Sequence, residues 1–582
     1  MGDTKASRQG IRAAAASAVA VSPNSTNDDG FLPPDCPVTP LGLFGNHCFY
    51  LDSQRQLIEL PGRDHSRLGI VRLFNKNFHF LYASWPRTDK EGRVTGWRPE
   101  LAAERLMASC GAKGIWNPAD RERGRGAWRG ERGELVLHTG QDVLTFAPNP
   151  RAWSDRLVHS PGVIGRFVYP AAEAVGMPAD MIAGGAGDAL LAMLRTWNWR
   201  RDDIDAVLLL GWMGAAMIGG ALHWRPIVWI TGGKSTGKST LQDLIEAVFN
   251  EALIKLADTS EAYIRQTLKH QTLPVSLDEA ESEEDNRRLN SIVRLARLAA
   301  SGGKLGRGGS DHNAVEFTMR SAFQFGSILM PSLLGQDRSR MAVLELGELP
   351  KETPTPDVSR ERWSPIGAQL RRRMVDGWVR WETTLAWYRH SKRAQDSFGT
   401  LLAAADVLLF DGAPNTQAGG EWIDLLRAAG MAEIEDDARD ERQCADHLMS
   451  IAVDPFRNGS RRLLAEWVRI AALWDAGDAV QAQAVLGTMG LKVRYEKLGR
   501  DDVPMLVVAD NHKGLADLFE NTRWASRSGS IGVWAQALRR LPGADRAGAQ
   551  YFAGLTCKAT KIPLESVLVR RDPDAQTPLP GL

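Results

Sequence analysis

Nine consecutive residues, Gly232-Gly233-Lys234-Ser235-Thr236-Gly237-Lys238-Ser239-Thr240, carry the plainest chemistry of this chain. They fit the pattern G-x-x-x-x-G-K-[ST], in which glycines let backbone N–H groups curl around phosphate oxygens. A helix opening at the end of such a loop adds the positive end of its dipole. Lys238 would reach the β- and γ-phosphates of a nucleoside triphosphate, and Ser239 would ligate Mg²⁺. A second acidic signal follows in Leu273-Pro274-Val275-Ser276-Leu277-Asp278-Glu279. Asp278 suits a carboxylate that holds Mg²⁺ through water, and Glu279 a base that orients or deprotonates the attacking water. A nucleotide kinase has no use for that second acid, so the pair points to hydrolysis of ATP.

These residues need elements to position them. The apolar segment 227–230 reads as a short buried strand, and 241–249 has apolar residues at helical spacing, which gives the strand–loop–helix setting that the motif requires. Residues 273–277 read as a strand ending at the two carboxylates. Asp278 lies forty positions after Lys238, room for a helix, a strand and another helix. The stretch 301–313 is polar, glycine-rich and basic, and precedes expected strands at 315–320 and 323–329. Paired arginines, Arg338 and Arg340, come just before a last expected strand at 342–346.

The remainder is read more coarsely. At 582 residues the chain should hold several domains. Residues 1–37 are taken as a disordered tail, and 38–177 as a β-rich domain. Within it, strands are expected at 48–51, 70–74, 78–82 and 134–138, with one helix at about 98–111. The segment 121–129 is basic, glycine-rich and carries Trp128; it could track a nucleic-acid backbone or serve as a solvated connector. Residues 178–350 are the ATPase core with a helical lead-in, 351–455 a helical region, and 456–582 a mixed α/β, winged-helix-like ending. No internal repeat is visible. A net charge of +1 gives no global attraction to nucleic acid, so any basic surface is local. The five cysteines form no C-x-x-C pair, which argues against a zinc ribbon or disulfide scaffold and fits a reducing cytoplasm. No apolar run reaches membrane-spanning length, and no membrane partner is expected.

With its short interval between the two motifs, the core resembles superfamily 3 helicases, a branch of the AAA+ P-loop ATPases. The wider chain is similar to the helicase part of phage and prophage primase–helicase replication proteins. That likeness is carried also by Pro40-Leu41-Gly42, Asp64-His65-Ser66, Trp85-Pro86-Arg87, Gly124-Arg125-Gly126-Ala127-Trp128, Trp524-Ala525 and the stretch 534–543. It implies a hexameric ring working on single-stranded or forked DNA, with a hairpin in the channel. Lys304, Arg307 and His312 then become the DNA-gripping candidates. It also implies an arginine finger reaching the neighbour's γ-phosphate, with Arg340 the first choice and Arg338 the second. The family places an Asn sensor at the end of the strand at 323–329, where this chain offers Ser327 or Ser332. No acidic cluster in 38–150 suits primer synthesis, so a primase would be a separate partner. Two other readings share the P-loop: a nucleotide-switched initiator or loader without processive unwinding, and a remodelling or defence ATPase that acts on no nucleic acid.

Overall fold

The computed structural model describes residues 30–147, 153–201, 204–278, 280, 287–308, 314–328, 340–350, 352–390, 396–428, 440–456, 461–473, 477–498, 501–520, 522–526 and 531–568. Contacts divide the chain into two compact units, Met1–Ala429 and Gly430–Leu582.

The first unit opens with an antiparallel meander, Thr39–Phe44, His47–Leu51 and Leu57–Pro61, packed against the helix Pro99–Lys113. Pro99 sits at the first helical position, where its missing N–H costs nothing. The strands expected at 70–74 and 78–82 are helical instead, within Arg67–Phe74 and His79–Ser84. Ile70, Leu73 and Phe74 are buried at helical spacing, and the Ser66 side chain caps the first turn by accepting from the Gly69 N–H. A run of apolar residues this short reads equally well as strand or helix, and here the cap decides. Four antiparallel strands follow: Gly126–Arg129, Leu135–His138, Val143–Phe146 and Leu157–His159.

A five-stranded parallel sheet forms the centre of this unit. Its strands are β1 (Ile227–Gly232), β2 (Ile254–Leu256), β3 (Val275–Leu277), β4 (Phe323–Ser327) and β5 (Met341–Leu346). They lie in the order β2-β3-β4-β1-β5, so β4 separates β1 from β3. The connecting helices are α1 (Lys238–Phe249), α2 (Glu261–Leu268) and α3 (Arg287–Ser301). Side chains alternate across a strand. One face therefore carries Trp229, Val275, Leu277, Phe323 and Phe325, which form a core with Leu289, Ile292, Val293, Ala296 and Ala299 of α3. Trp229 stacks on Phe325 with ring centroids 4.7 Å apart. The other face presents Ser276, Gln324 and Gly326 to α1.

The lead-in helix Asp205–Met217 is buried along its whole length. Helices Arg360–Asp376, Trp378–His390, Asp396–Leu409 and Thr416–Ala428 complete the same unit: the first packs on α1 and the third on Asp205–Met217. Among the described residues, no helix is long and apolar enough to cross a membrane.

The second unit begins with the helix Asp440–Ser450. Helices Leu464–Ala471 and Gly477–Thr488 then lead into the hairpin Leu491–Leu498/Asp501–Ala509. Helices Lys513–Leu518 and Val533–Leu538 lead into a second hairpin, Asp545–Phe552/Leu555–Pro563. The second strands of the two hairpins pair antiparallel and make one four-stranded sheet. The order helix, helix, hairpin thus occurs twice, a structural repeat without a matching repeat of residues.

Candidate nucleotide site

All five parallel strands end on one edge of the sheet, where the loop 232–237, the start of α1 and Asp278 lie. β1 runs out at Gly232, the chain turns through 233–237, and α1 begins at Lys238. Ser235 and Gly237 adopt left-handed backbone (φ 63° and 75°). Left-handed residues within a turn are one ingredient of the backbone nests that bind anions. At Ser235, which has a Cβ, the conformation costs of order 1–3 kcal/mol, strain of a kind concentrated at functional sites. Thr236 is buried and its hydroxyl donates to the Gly233 carbonyl at 3.0 Å, closing the turn. Gly233, Lys234, Ser235 and Ser239 are exposed, with Lys238 and Thr240 partly so.

A second layer holds this loop, and sequence reasoning missed it. The segment 197–201 runs along the free edge of β5: Arg200 N–H donates to Glu345 O at 2.9 Å and Gly347 N–H to Asn198 O at 2.7 Å. At its end, the Trp197 indole N–H donates to the Gly237 carbonyl at 3.0 Å. A side chain on Gly237 would strike that indole at 2.9 Å and the Leu349 side chain at 3.0 Å, so glycine is required for space as well as for conformation. The only sequence signal was a Trp thirty-five residues before the motif, indistinguishable there from a core residue.

Asp278 stands just past β3, its N–H bound to Leu256 O at 2.9 Å. It lies on the α1 side of the sheet. A Cβ on Gly326 of β4 would sit 2.9 Å from Asp278 Oδ1 and 2.9 Å from Gln242 Nε2 of α1. The fold thus brings the acidic strand end beside the helix that opens at the loop. Lys238, Ser239 and Asp278 are the residues that would hold a nucleotide's phosphates and Mg²⁺, and the donor set fits them: a glycine loop at a helix N-terminus, one ammonium, one hydroxyl and one carboxylate. Glu279 and Arg338 lie outside the described residues, as do His312 and Ser332.

Ser327 departs from the expectation of a sensor facing the phosphate. It is fully buried and its hydroxyl accepts from the Trp229 indole at 2.8 Å. Period-two alternation puts it on the α3 face of β4, opposite to Asp278 and Gly326.

The other candidates lie at the opposite edge. Arg340 is exposed at the start of β5, its guanidinium over the Trp224 ring at 5.8 Å and its carbonyl bound by Ser397 Oγ at 3.0 Å. β5 pairs in register with β1 from Ile227↔Met341 to Gly232↔Leu346. At about 3.3 Å per residue, Arg340 is therefore roughly 20 Å from the loop 233–237 of its own chain. Lys304 and Arg307 lie on a hairpin, Lys304–Gly308 paired with Ala314–Thr318, that joins α3 to β4 at this same edge. The hairpin is rooted by Arg225, 1% exposed, which donates to the C-terminal carbonyls of α3 (Nε to Ala299 O, 2.7 Å; N–H to Ala300 O, 3.0 Å) and to Gly219 O and Leu222 O. Burial lowers the Arg225 pKa to about 9.

The basic segment 121–129 is packed into the fold. Arg123 lies 3.3 Å over the Phe167 ring and donates to Tyr169 OH, Arg125 binds Gln271 and the Glu173 carbonyl, and Arg129 pairs with Glu382. Arg123, Arg125 and Arg129 thus each have partners within the chain, which argues against a free backbone-tracking loop.

No family model matches the chain, and no curated protein matches it. Among solved structures it is similar to the A form apo structure of the NrS-1 C terminal region. That match is 12% identical, covers 90% of this chain and 96% of that one, and has a TM-score of 0.31. A second, the apo structure of the NrS-1 C terminal region (305–718), is 14% identical over 74% of this chain and 95% of that one, again with a TM-score of 0.31. At these scores the likeness fixes neither fold nor activity.

Proposed function

We propose that the first unit binds and hydrolyses ATP with Mg²⁺ and uses the cycle to move along DNA as a ring of identical subunits, in the manner of superfamily 3 helicases. The observation that carries the reading is the juxtaposition at one sheet edge: a strained glycine loop opening α1, with Asp278 beside that helix across Gly326. Lys238 neutralises the β- and γ-phosphates, Ser239 and Asp278 hold the metal, and Glu279 orients water. The metal supplies neutralisation of charge on the phosphate oxygens. Arg340 is too far from its own loop to act on it, which is the geometry a finger serving a neighbouring subunit needs. The hairpin bearing Lys304 and Arg307 shares that edge, where it would meet a strand passing through the ring.

Engagement of 121–129 within the fold favours one rival, an ATPase indifferent to nucleic acid, because it leaves the hairpin as the main basic element. Steady-state ATP hydrolysis with and without single-stranded DNA, together with the solution mass in ATP, separates the two. DNA-stimulated turnover by a ring-sized oligomer is expected, lost in Lys238→Ala. Turnover unchanged by DNA would overturn the DNA part, and turnover unchanged in Lys238→Ala would overturn the nucleotide site itself.

A further inference from the structure

Beneath the loop, between α1 and the sheet, lies a buried polar cluster that the reading above leaves without a role. Gln242 of α1 is 2% exposed, and Ser276 of β3 and Gln324 of β4 are at most 1% exposed. Ser276 Oγ lies 3.1 Å from Gln242 Oε1 and 2.6 Å from Gln324 Oε1. One hydroxyl proton can serve only one of these acceptors at a time. Both glutamines keep a buried Nε2 with no hydrogen-bond partner. A buried unmet donor costs about 1–3 kcal/mol, so its retention needs a reason.

The geometry of Gln242 supplies one. Its Oε1 faces Ser276 Oγ, and its amide nitrogen faces Gly326. The position that a Gly326 side chain would take is 2.9 Å from Gln242 Nε2 and 2.9 Å from Asp278 Oδ1. The nitrogen and the carboxylate oxygen thus face one small space, kept open by a glycine. No other described side chain comes as close to that point.

We propose that Gln242 is a positioning residue for Asp278: its unpaired Nε2–H is the donor that would take up the carboxylate across Gly326 when Mg²⁺ binds, fixing the orientation in which Asp278 meets the metal. Ser276 and Gln324 brace it from behind. The assignment rests on the nucleotide-site reading. It explains why a helix face otherwise lined by Leu241, Leu244, Ile245 and Val248 buries an amide.

The test is binding of a fluorescent ATP analogue to the full chain as Mg²⁺ is titrated, with ADP binding in chelator as the control. Gln242→Met keeps the size and removes the donor. A hydrogen bond to a charged group is worth enough to shift the half-saturating Mg²⁺ upward by about tenfold, with metal-free ADP affinity and melting temperature near wild type. Gln242→Glu, isosteric, adds negative charge beside Asp278 and should move half-saturation the other way. Opposite shifts in the two variants support the proposal. A folded Gln242→Met with wild-type Mg²⁺ dependence would overturn it, as would both variants losing metal-free binding in parallel. If wild type bound no nucleotide, the site reading would fall and this assignment with it; if wild type binds normally, only the assignment is at stake.

Discussion

Gly326→Ala is the smallest change that reaches the candidate site from below. The added methyl would lie 2.9 Å from both Asp278 Oδ1 and Gln242 Nε2, and 3.7 Å from Leu277 O. Ordinary contact begins near 3.4 Å, so each polar group must retreat by about half an ångström. Gln242 is 2% exposed and packed between α1 and the sheet, which leaves the carboxylate at the strand end as the softer partner. Overpacking of this kind costs about 1–3 kcal/mol, partly offset by the roughly 0.5–1 kcal/mol that Ala gains over Gly in a strand. The expected melting shift is a fall of only about 1–2 °C in a unit of this size. Turnover should suffer more: misplacement of a reacting group by 1 Å costs about a hundredfold, so half that costs about tenfold. Steady-state hydrolysis across a Mg²⁺ titration measures the loss, and ADP affinity without metal should be unchanged. A folded Gly326→Ala protein with wild-type turnover and Mg²⁺ dependence would refute the placement of Asp278 in the reaction.

Other perturbations probe the supports around that point. Trp197→Phe removes the indole donor to Gly237 O while leaving the Leu241 N–H on the same carbonyl, so a loss of about 0.5–1 kcal/mol should weaken nucleotide binding two- to fivefold by titration. Burial raises the Glu122 carboxyl to about 7 and lowers its neighbour His270 to about 4, so their 3.4 Å contact is not a strong ion pair at neutral pH. Because the folded pKa of Glu122 exceeds the unfolded one, its contribution is intact below about pH 4.5 and is lost as pH rises through 7. Glu122→Gln should therefore stabilise the protein at pH 8, by up to about 3 kcal/mol, and hardly at pH 4–5; thermal melts at the two pH values check it. Lys304→Ala with Arg307→Ala should spare basal hydrolysis and reduce the salt slope of single-stranded DNA binding by about 1.4, and an unchanged slope would remove the hairpin from the interface.

What could be seen from residues alone followed from how local each signal is. The strands β1 and β3 and the helix α1 lie within short stretches whose pattern and punctuation agree, and each is present close to its expected bounds. Residues 70–74 failed because β-branched and aromatic side chains suit a buried helix face as well as a strand, and the deciding cap is one serine. The segment 121–129 stayed open between two readings because arginine count does not reveal partners: Gln271, Glu382 and Phe167 come from distant parts of the chain. Ser327 had the right position and the wrong parity. Gln242 and Trp197 carried no pattern at all, since their significance lies in two groups they meet only after folding.

The buried cap on α3 has a mechanical consequence. α3 is about 22 Å long, its first residue follows Asp278 by nine positions, and its last turn is clamped by Arg225 immediately before the hairpin. Sliding α3 against β1 would strip charge-assisted hydrogen bonds from a guanidinium with no access to water, at about 1.5–3 kcal/mol each. The helix therefore behaves as a strut with a fixed foot. A displacement at the edge that carries the loop 233–237 cannot be absorbed at the hairpin's root; it must tilt strut, root and hairpin as one piece, or be taken up beyond Lys304 in the hairpin itself.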